Sequence, residues 1–272
     1  MSRYGAFVTE QVRYQKSDRV ATITLDNPSA RNAFDFDMAM ELKRLWAEVK
    51  TDPEVVCVIV TGAGEKAFCT GWDIRSTAAG DSQQFAKLPR QEAPYGQITA
   101  IQNRCWKPVI TAVNGMCVGG GFHFVADSDL VIASETATFF DTHVKVGTVA
   151  GLEPVGLARR IPLESVLRLA LLGGSERMSA EEALRVGLVG EILPPEQLMP
   201  RAQELAAKIA EHSPTALART KQAIWESLDH GLEGGLDAAY AHIEAHAEHP
   251  DQLEGPQSFF EKRKPKWSPL SE

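Results

Sequence analysis

The sequence lacks the features of a disulfide-rich secreted protein or a membrane protein. Only 7% of its 272 residues are aromatic and only four are cysteine. The cysteines are widely spaced, form no CxxC pair and have apolar neighbours, which predicts buried free thiols in a reducing compartment. Residues 1–19 contain no signal-peptide core, and no apolar run approaches the roughly 18–20 residues of a membrane span. We therefore expect a cytoplasmic protein with no membrane partner.

Acidic residues outnumber basic residues, which limits the kinds of partner that the protein is expected to bind. The chain has 28 Lys and Arg against 36 Asp and Glu, for a formal net charge of -8. This balance disfavours broad binding to nucleic acid, because no basic face could offset it except locally. The clearest basic cluster lies near the C-terminus, at residues 262–266. A hydrophobic content of 44% is enough for a large core, as one domain of generous size or one domain with an appendage.

Hydrophobic patterning divides the chain into an α/β part and a helical part. Before about residue 195, short apolar runs that predict strands alternate with helical spacing, as in an α/β layered fold. Beyond it the strand signals end. We therefore expect a core over residues 1–197 and a helical segment over residues 198–272. Strands are predicted at 19–25, 55–60, 109–113, 130–133 and 137–140, a strand and turn within 67–74, and helices at 35–50, 122–127, 198–212, 215–228 and 236–248, with a further helix opened by the capping box at 179–182.

Two regions before the central strand have weaker patterns. Residues 76–95 are small, polar and punctuated by proline, which predicts a mobile loop of the kind that often covers a site. The apolar residues Ile98, Ile101 and Trp106 predict a helix that leads into the strand at 109–113.

The stretch at residues 108–129 combines a buried strand, a turn, three consecutive glycines and a short helix. Glycines at 119–121 would let a ligand approach the backbone closely. A helix that begins there would point free N–H groups towards the ligand, so the amide of Gly120 would suit a negative oxygen. The alternative is that the glycines only allow close packing of neighbouring elements. The pattern favours an oxyanion site over this packing role.

Several motifs together resemble the crotonase superfamily, the enoyl-CoA hydratase/isomerase family. They occur in the order of that family and span nearly the whole chain. The motifs are AFCTGWDI at 67–74, PV at 108–109, AVNG at 112–115, GGG at 119–121, DSD at 127–129 and FFEKRKP at 259–265.

The resemblance implies an α/β, crotonase-like spiral of ββα repeats with a helical C-terminal trimerisation segment. It also implies a homotrimer or a dimer of trimers that binds a coenzyme A thioester, with no prosthetic group and no metal. The family's shared device is a pair of backbone amides that hold the thioester oxygen, here those of Trp72 and Gly120. The alternative for Trp72 is an indole that only packs.

Coenzyme A contacts are also implied by the resemblance. The matching tail position is Lys262, with Phe259 nearby, and in the family such a lysine sometimes comes from a neighbouring subunit. Its charge would offset coenzyme A phosphates on an otherwise acidic protein. The loop at residues 31–33 resembles another segment of the family that contacts coenzyme A, which makes Arg31 and Ala33 candidates. Further candidates lie in the motif at 67–74: Thr70, Gly71, Asp73 and Ile74.

The chain departs from the family at both acid/base positions. Hydratases of the family carry one glutamate two residues after the glycines and another four residues before a Gly-Thr pair, whereas this chain has His123 and His143 there. A single histidine beside an apolar helix is more often a hydrogen-bonded core residue than a catalyst. Two histidines at these two positions favour proton transfer. Asp141 and Glu153 are candidates to orient an imidazole or act directly, against the alternative of solvated or capping carboxylates.

The leading hypothesis is an acyl-CoA thioester enzyme of the hydratase/isomerase family, with two backbone amides on the thioester oxygen and histidines that transfer protons. One alternative is a hydrolase on the same fold, which cleaves a C–C bond in a retro-Claisen reaction or cleaves the thioester itself. Another is a protein that binds acyl-CoA without catalysis.

Overall fold

Two β-sheets form the centre of the molecule, and helices cover them. The computed structural model describes residues 10–78, 85 and 87–270. The strands are β1 (Val12–Ser17), β2 (Val20–Leu25), β3 (Cys57–Gly62), β4 (Ala67–Cys69), β5 (Val109–Val113), β6 (Met116–Val118), β7 (Leu130–Ser134), β8 (Thr138–Phe140), β9 (Met178–Ser179) and β10 (Glu191–Leu193).

The helices follow and flank these strands. The α-helices are α1 (Phe36–Thr51), α2 (Ile74–Ala78), α3 (Phe122–Ala126), α4 (Leu152–Leu157), α5 (Leu163–Leu171), α6 (Ala180–Arg185), α7 (Pro195–Ala210), α8 (Pro214–Ser227), α9 (Leu232–His246) and α10 (Asp251–Phe260). Short 3-10 helices lie at Pro28–Ala30, Pro94–Gly96, Gly119–Gly121 and Val144–Val146. No helix in the described part of the chain is long and apolar enough to span a membrane.

From β3 to β8, consecutive strands alternate between the two sheets. Within the described residues the larger sheet has the order β1-β2-β3-β5-β7-β10, and the smaller has the order β4-β6-β8-β9. The strands β2, β3, β5, β7 and β10 run parallel, and so do β4, β6 and β8. From β3 to β8, each strand of the large sheet is therefore followed by a short strand of the small sheet, which turns the chain in a repeated ββα spiral. The predicted fold class is confirmed.

Apolar side chains fill both faces of the large sheet. The strands β3 and β5 are buried throughout, as their unbroken apolar runs predict. One cluster joins the sheets to α1, whose Leu42, Leu45 and Trp46 are buried at helical spacing. Asp35 caps α1 by accepting a hydrogen bond from the Met38 N–H. All four cysteines are buried free thiols, as predicted.

The helical C-terminal region is joined to the sheet by polar as well as apolar contacts. The helix α7 packs with Leu198, Ala202 and Ala206 against the large sheet. From α8, the Lys221 ammonium lies 2.8 Å from a carboxylate oxygen of Asp129 and is almost completely buried. The same Asp129 also accepts a hydrogen bond from the β5 backbone. The division of the chain at residue 198 falls inside α7 and stays a prediction.

The helix predicted around Ile98, Ile101 and Trp106 is wrong, because residues 100–104 form hydrogen-bonded turns. The Asn103 side chain donates to the backbone carbonyls of Gln97 and Thr99, at 2.7 and 2.8 Å. A side-chain amide that takes these carbonyls competes with helix formation.

The loop predicted at residues 76–95 is only partly described. Residues 79–84 and 86 lie outside the described residues. Of the rest, residues 76–78 end α2, and residues 94–95 begin a 3-10 helix. The mobility of this region stays a prediction.

Candidate active site

Most of the predicted site residues meet in one cleft of about 1680 Å³, between the turns that follow β2, β4 and β6 and the segment after β8. Its lining includes most of the residues singled out from the sequence: Arg31, Ala33, Thr70, Trp72, Asp73, Ile74, Gly120, His123, His143 and Glu153. Gly71 lies just behind this surface, against Gly120. Asp141 is buried beneath it, at 2% exposure.

The structure does not bring Phe259 and Lys262 to the lining of this cleft. Both side chains are exposed, Phe259 to 78%. The contact of these two residues with coenzyme A stays a prediction.

The turn after β4 fixes the direction of the Trp72 amide. Phe34 N–H donates to Gly71 O, and Asp73 N–H donates to Phe34 O, both at 2.9 Å. These bonds make Trp72 the bridging residue opposite Phe34. In a parallel pair, the residue whose two chain neighbours make the hydrogen bonds has its own N–H pointing away from the partner strand, so the Trp72 N–H is directed away from Phe34.

The two glycine-bearing turns touch each other through their backbones. Gly71 has a φ of +83°, and a Cβ atom there would lie 2.6 Å from the Gly120 nitrogen. Both the positive φ and the close approach therefore require glycine. Gly120 lies in the first turn of the 3-10 helix Gly119–Gly121, where backbone N–H groups have no acceptor within the helix. The Trp72 and Gly120 segments are thus neighbours at the cleft wall.

The His143 ring lies beside this pair and is oriented by Asp141. A Cβ atom on Gly119 would lie 3.4 Å from the His143 ring. The Asp141 carboxylate accepts from the His143 backbone N–H at 2.7 Å, and each of its oxygens lies 3.0 Å from His143 Nδ1. In the neutral ring this places the proton on Nδ1 and leaves Nε2, on the side of Glu153, as an acceptor. Burial lowers the pKa of His143, but the hydrogen bond and charge of Asp141, with the charge of Glu153, raise it overall.

Glu153 lies between the two imidazoles. Its Oε1 is 3.2 Å from His123 Nε2 and 3.9 Å from His143 Nε2. Glu153 is 7% exposed, at the start of α4, which packs on the helix that carries His123. Burial raises the pKa of Glu153, but the interaction with His123, to which it is hydrogen-bonded, and the charge of His143 outweigh burial and lower it. Glu153 and Asp141 are both buried and partnered, so they are not solvated carboxylates. The bond from the His143 backbone N–H gives Asp141 a capping contact as well.

The His123 ring is a buried residue with a partner at each nitrogen. It is 4% exposed, and opposite its bond to Glu153 its Nδ1 lies 3.2 Å from Gln102 Nε2. Gln102 was not among the residues predicted from the sequence. It belongs to no motif, and it reaches His123 only in the folded chain. The structure therefore joins Gln102, His123 and Glu153 in a chain that ends 3.9 Å from His143.

Aromatic side chains form one wall of the cleft. The Trp72 ring makes edge contacts with Phe34 at 5.6 Å, with Phe85 at 5.6 Å and with Tyr95 at 6.3 Å between ring centroids. The Trp72 indole therefore packs, as in the alternative reading, while its amide is directed independently of the ring. Together, the site contains two adjacent backbone segments at Trp72 and Gly120, one imidazole backed by a carboxylate, a second carboxylate and an apolar wall. Such a set can polarise a carbonyl and transfer a proton next to it.

Comparison with known proteins agrees with this chemistry. The sequence model of the family described as enoyl-CoA hydratase/isomerase matches residues 15–269. The (E)-benzylidenesuccinyl-CoA hydratase of Thauera aromatica is 38% identical over 93% of this chain and 97% of its own. A carnitinyl-CoA dehydratase of Citrobacter koseri is 33% identical over 96% of this chain and 99% of its own.

Solved structures are similar over the same length. An enoyl-CoA hydratase/isomerase from Mycobacterium paratuberculosis has a TM-score of 0.86 and 39% identity, over 96% of this chain and 98% of that chain. An enoyl-CoA hydratase from Bacillus anthracis also has a TM-score of 0.86, with 29% identity over 95% of this chain and 99% of that chain.

Proposed function

The chain belongs to the enoyl-CoA hydratase/isomerase family, and from that premise we propose that it adds water reversibly to an α,β-unsaturated acyl-CoA thioester. The observation that carries this proposal is the convergence of the Trp72 and Gly120 backbones with His143, Asp141 and Glu153 in one cleft. The named relatives that act as a hydratase and a dehydratase support the same reaction class.

The two amides would bind the thioester oxygen. As a nucleophile attacks the β-carbon, the electron pair of the double bond moves towards the carbonyl and an enolate oxygen forms. The N–H groups of Trp72 and Gly120 stabilise that negative charge. Each such donor is worth about 2.7–4 kcal/mol in comparable oxyanion sites, so loss of either is expected to slow turnover about 10²–10³-fold.

His143 would transfer the proton. Its Nε2 accepts a proton from water as the water oxygen bonds to the β-carbon, while the buried Asp141 stabilises the imidazolium that forms. The imidazolium then returns the proton to the α-carbon of the enolate. The balance is one water added, with His143 restored to its neutral state.

Glu153 would hold the water. Its lowered pKa keeps it ionised at neutral pH, so it accepts a hydrogen bond well and donates a proton poorly. The 3.9 Å between its Oε1 and His143 Nε2 is longer than a direct hydrogen bond. A water beside both atoms would be oriented by Glu153 and deprotonated by His143.

The substrate is proposed to carry an apolar or aromatic acyl group. Trp72, Phe34 and Tyr95 line the cleft, and edge contacts to aromatic rings are favourable for another ring. The relative from Thauera aromatica is named for an aromatic acyl-CoA. We expect an aryl-substituted enoyl-CoA to be hydrated with a higher kcat/KM than crotonyl-CoA.

A trimeric assembly is part of the proposal, because Lys262 and Phe259 lie outside the cleft of their own chain. The helix α9 carries four exposed apolar side chains at helical spacing, which suits burial against another copy. They are Leu232, Leu236, Tyr240 and Ile243. Light scattering coupled to gel filtration is expected to give a multiple of three chains.

Product analysis tests the reaction. The wild type and a His143→Gln variant are incubated with a panel of enoyl-CoA esters in ¹⁸O-labelled water, and the products are separated by mass spectrometry. Hydration predicts an intact CoA ester that has gained one labelled water, at a rate that falls about 10²-fold or more in the variant. Release of a free acid or of a carbon fragment would instead support hydrolysis on the same site. Tight binding without turnover on any ester would refute the catalytic proposal.

A further inference from the structure

The Gln102 side chain has only one possible amide orientation. Its Oε1 accepts hydrogen bonds from the backbone N–H groups of Ile98 at 2.8 Å and Thr99 at 3.3 Å. Backbone N–H groups can only donate, so the oxygen must face them. The NH₂ group of Gln102 must therefore face the His123 ring, whose Nδ1 lies 3.2 Å from it.

This orientation decides which ring nitrogen of His123 carries the proton. An NH₂ group is a donor, so Nδ1 must be the acceptor and must lack a proton. In a neutral imidazole the proton then lies on Nε2. That nitrogen is 3.2 Å from Glu153 Oε1, a carboxylate that only accepts. Both hydrogen bonds of the buried ring are thus satisfied by one tautomer.

Protonation of His123 would disrupt this arrangement. Burial lowers the pKa of His123, but the charge and hydrogen bond of Glu153 and the charge of Asp127 raise it overall. Against this, an imidazolium would place an N–H at Nδ1 against the NH₂ group of Gln102. Rotation of the Gln102 amide would relieve that conflict, but it would leave two backbone N–H groups without their acceptor.

We propose that Gln102 locks His123 as the neutral tautomer with its proton on Nε2, so that His123 is a positioning residue that holds Glu153 and takes no part in proton transfer. The role of Glu153 towards water rests on the proposed function, but the tautomer does not. The two histidines that occupy the family's acid/base positions then differ in kind. His143 presents an acceptor to the cleft, and His123 presents a donor to a carboxylate.

The tautomer is measured directly by ¹⁵N nuclear magnetic resonance of the full chain labelled at histidine, without substrate. The His123 signals are assigned by their loss in a His123→Gln variant. We expect an unprotonated Nδ1 and a protonated Nε2 whose shifts stay constant between about pH 5 and 9. Shifts of an imidazolium in that range, or a proton on Nδ1, would overturn the inference even if hydratase activity has been found.

A charge swap at Gln102 provides the second test. In Gln102→Glu one carboxylate oxygen can still accept from the backbone and the other faces Nδ1, so His123 is expected to become an imidazolium. We expect kcat to fall about 10- to 100-fold because Glu153 is held differently, with KM for the acyl-CoA changed less than about threefold. The control is Gln197→Glu, the same substitution at an exposed position of α7, which should leave the spectrum and kcat unchanged.

The two tests separate the inference from the function. A neutral His123 in the wild type together with an imidazolium in Gln102→Glu supports the lock whether or not any ester is hydrated. A His123 signal that is the same in both proteins would overturn the lock, and product analysis would still decide the reaction.

Discussion

Replacement of Asp141 by asparagine tests the part assigned to His143. The Asp141 carboxylate is 2% exposed and lies 3.0 Å from His143 Nδ1 through both oxygens. Asp141→Asn preserves the size of the side chain but removes its charge. The amide NH₂ of the asparagine would face His143 Nδ1, which donates to Asp141 in the wild type. The substitution therefore favours the tautomer with the proton on Nε2.

The expected magnitude follows from the charge-assisted hydrogen bond. Such a bond contributes about 1.5–3 kcal/mol, and one pKa unit corresponds to about 1.4 kcal/mol. Asp141 raises the pKa of His143, so its loss is expected to lower that pKa. Since a base must be neutral, the acid limb of kcat/KM should move to lower pH by the same amount. The plateau rate should fall about 10²–10⁴-fold, the usual contribution of a positioned base.

The stability lost in Asp141→Asn is expected to depend on pH in a defined direction. A histidine whose pKa is raised by folding contributes stability that is complete below its unfolded pKa of about 6.5 and is lost as the pH rises through the folded pKa. The Tm deficit of Asp141→Asn should therefore be larger at about pH 5.5 than at about pH 8.5. Asp229→Asn, at a carboxylate that is 73% exposed, is the matched control. A variant with the wild-type rate and an unmoved acid limb would refute the role of His143 as base.

Three further predictions follow from the same geometry. Glu153→Gln keeps the shape of the side chain but removes its charge. In steady-state kinetics kcat should fall about 10²-fold, while calorimetry should show that acyl-CoA still binds. An unchanged kcat would exclude Glu153 from the reaction. Gly71→Ala adds a Cβ 2.6 Å from the Gly120 nitrogen and should lower the free energy of unfolding by about 3 kcal/mol or more and abolish turnover. Gly187→Ala has a similar φ of +81° but open space, so it should cost only about 1–2 kcal/mol; equal losses would contradict the contact. Asn32→Ala removes a completely buried side chain that donates to two backbone carbonyls. The free energy of unfolding, measured with urea, should fall by about 2–4 kcal/mol. A fall below about 0.5 kcal/mol would contradict this role of Asn32.

Local patterns were sufficient where a short stretch of chain sets its own structure. The apolar run at Val109–Val113 predicted a strand that is buried on both faces, and the spacing at Met38, Leu42 and Val49 predicted the helix α1. These patterns work because residues two or four apart share a face of a strand or helix. They fail around Ile98, where the Asn103 side chain takes the carbonyls that a helix would need.

The positions of the reactive side chains depend on packing between distant segments. Gln102 reaches His123 over 21 residues of chain, and Glu153 reaches the same ring from the opposite side. The hydrophobic pattern of the sequence predicts neither contact, because each depends on how helices α3 and α4 pack with the turn at residues 100–104. The tautomer of a histidine is set by such partners and not by its own sequence neighbours.

The sequence by itself determined the class of fold, the glycine-bearing turns and the two histidines at the acid/base positions, because composition, hydrophobic period and motif order are properties of the chain alone. Only the tertiary structure decided that Asp141 backs His143, that Gln102 and Glu153 bracket His123, and that Lys262 lies away from the cleft of its own chain. Hydrogen bonds have directions and lengths that only folding fixes, and those directions distinguish the two histidines.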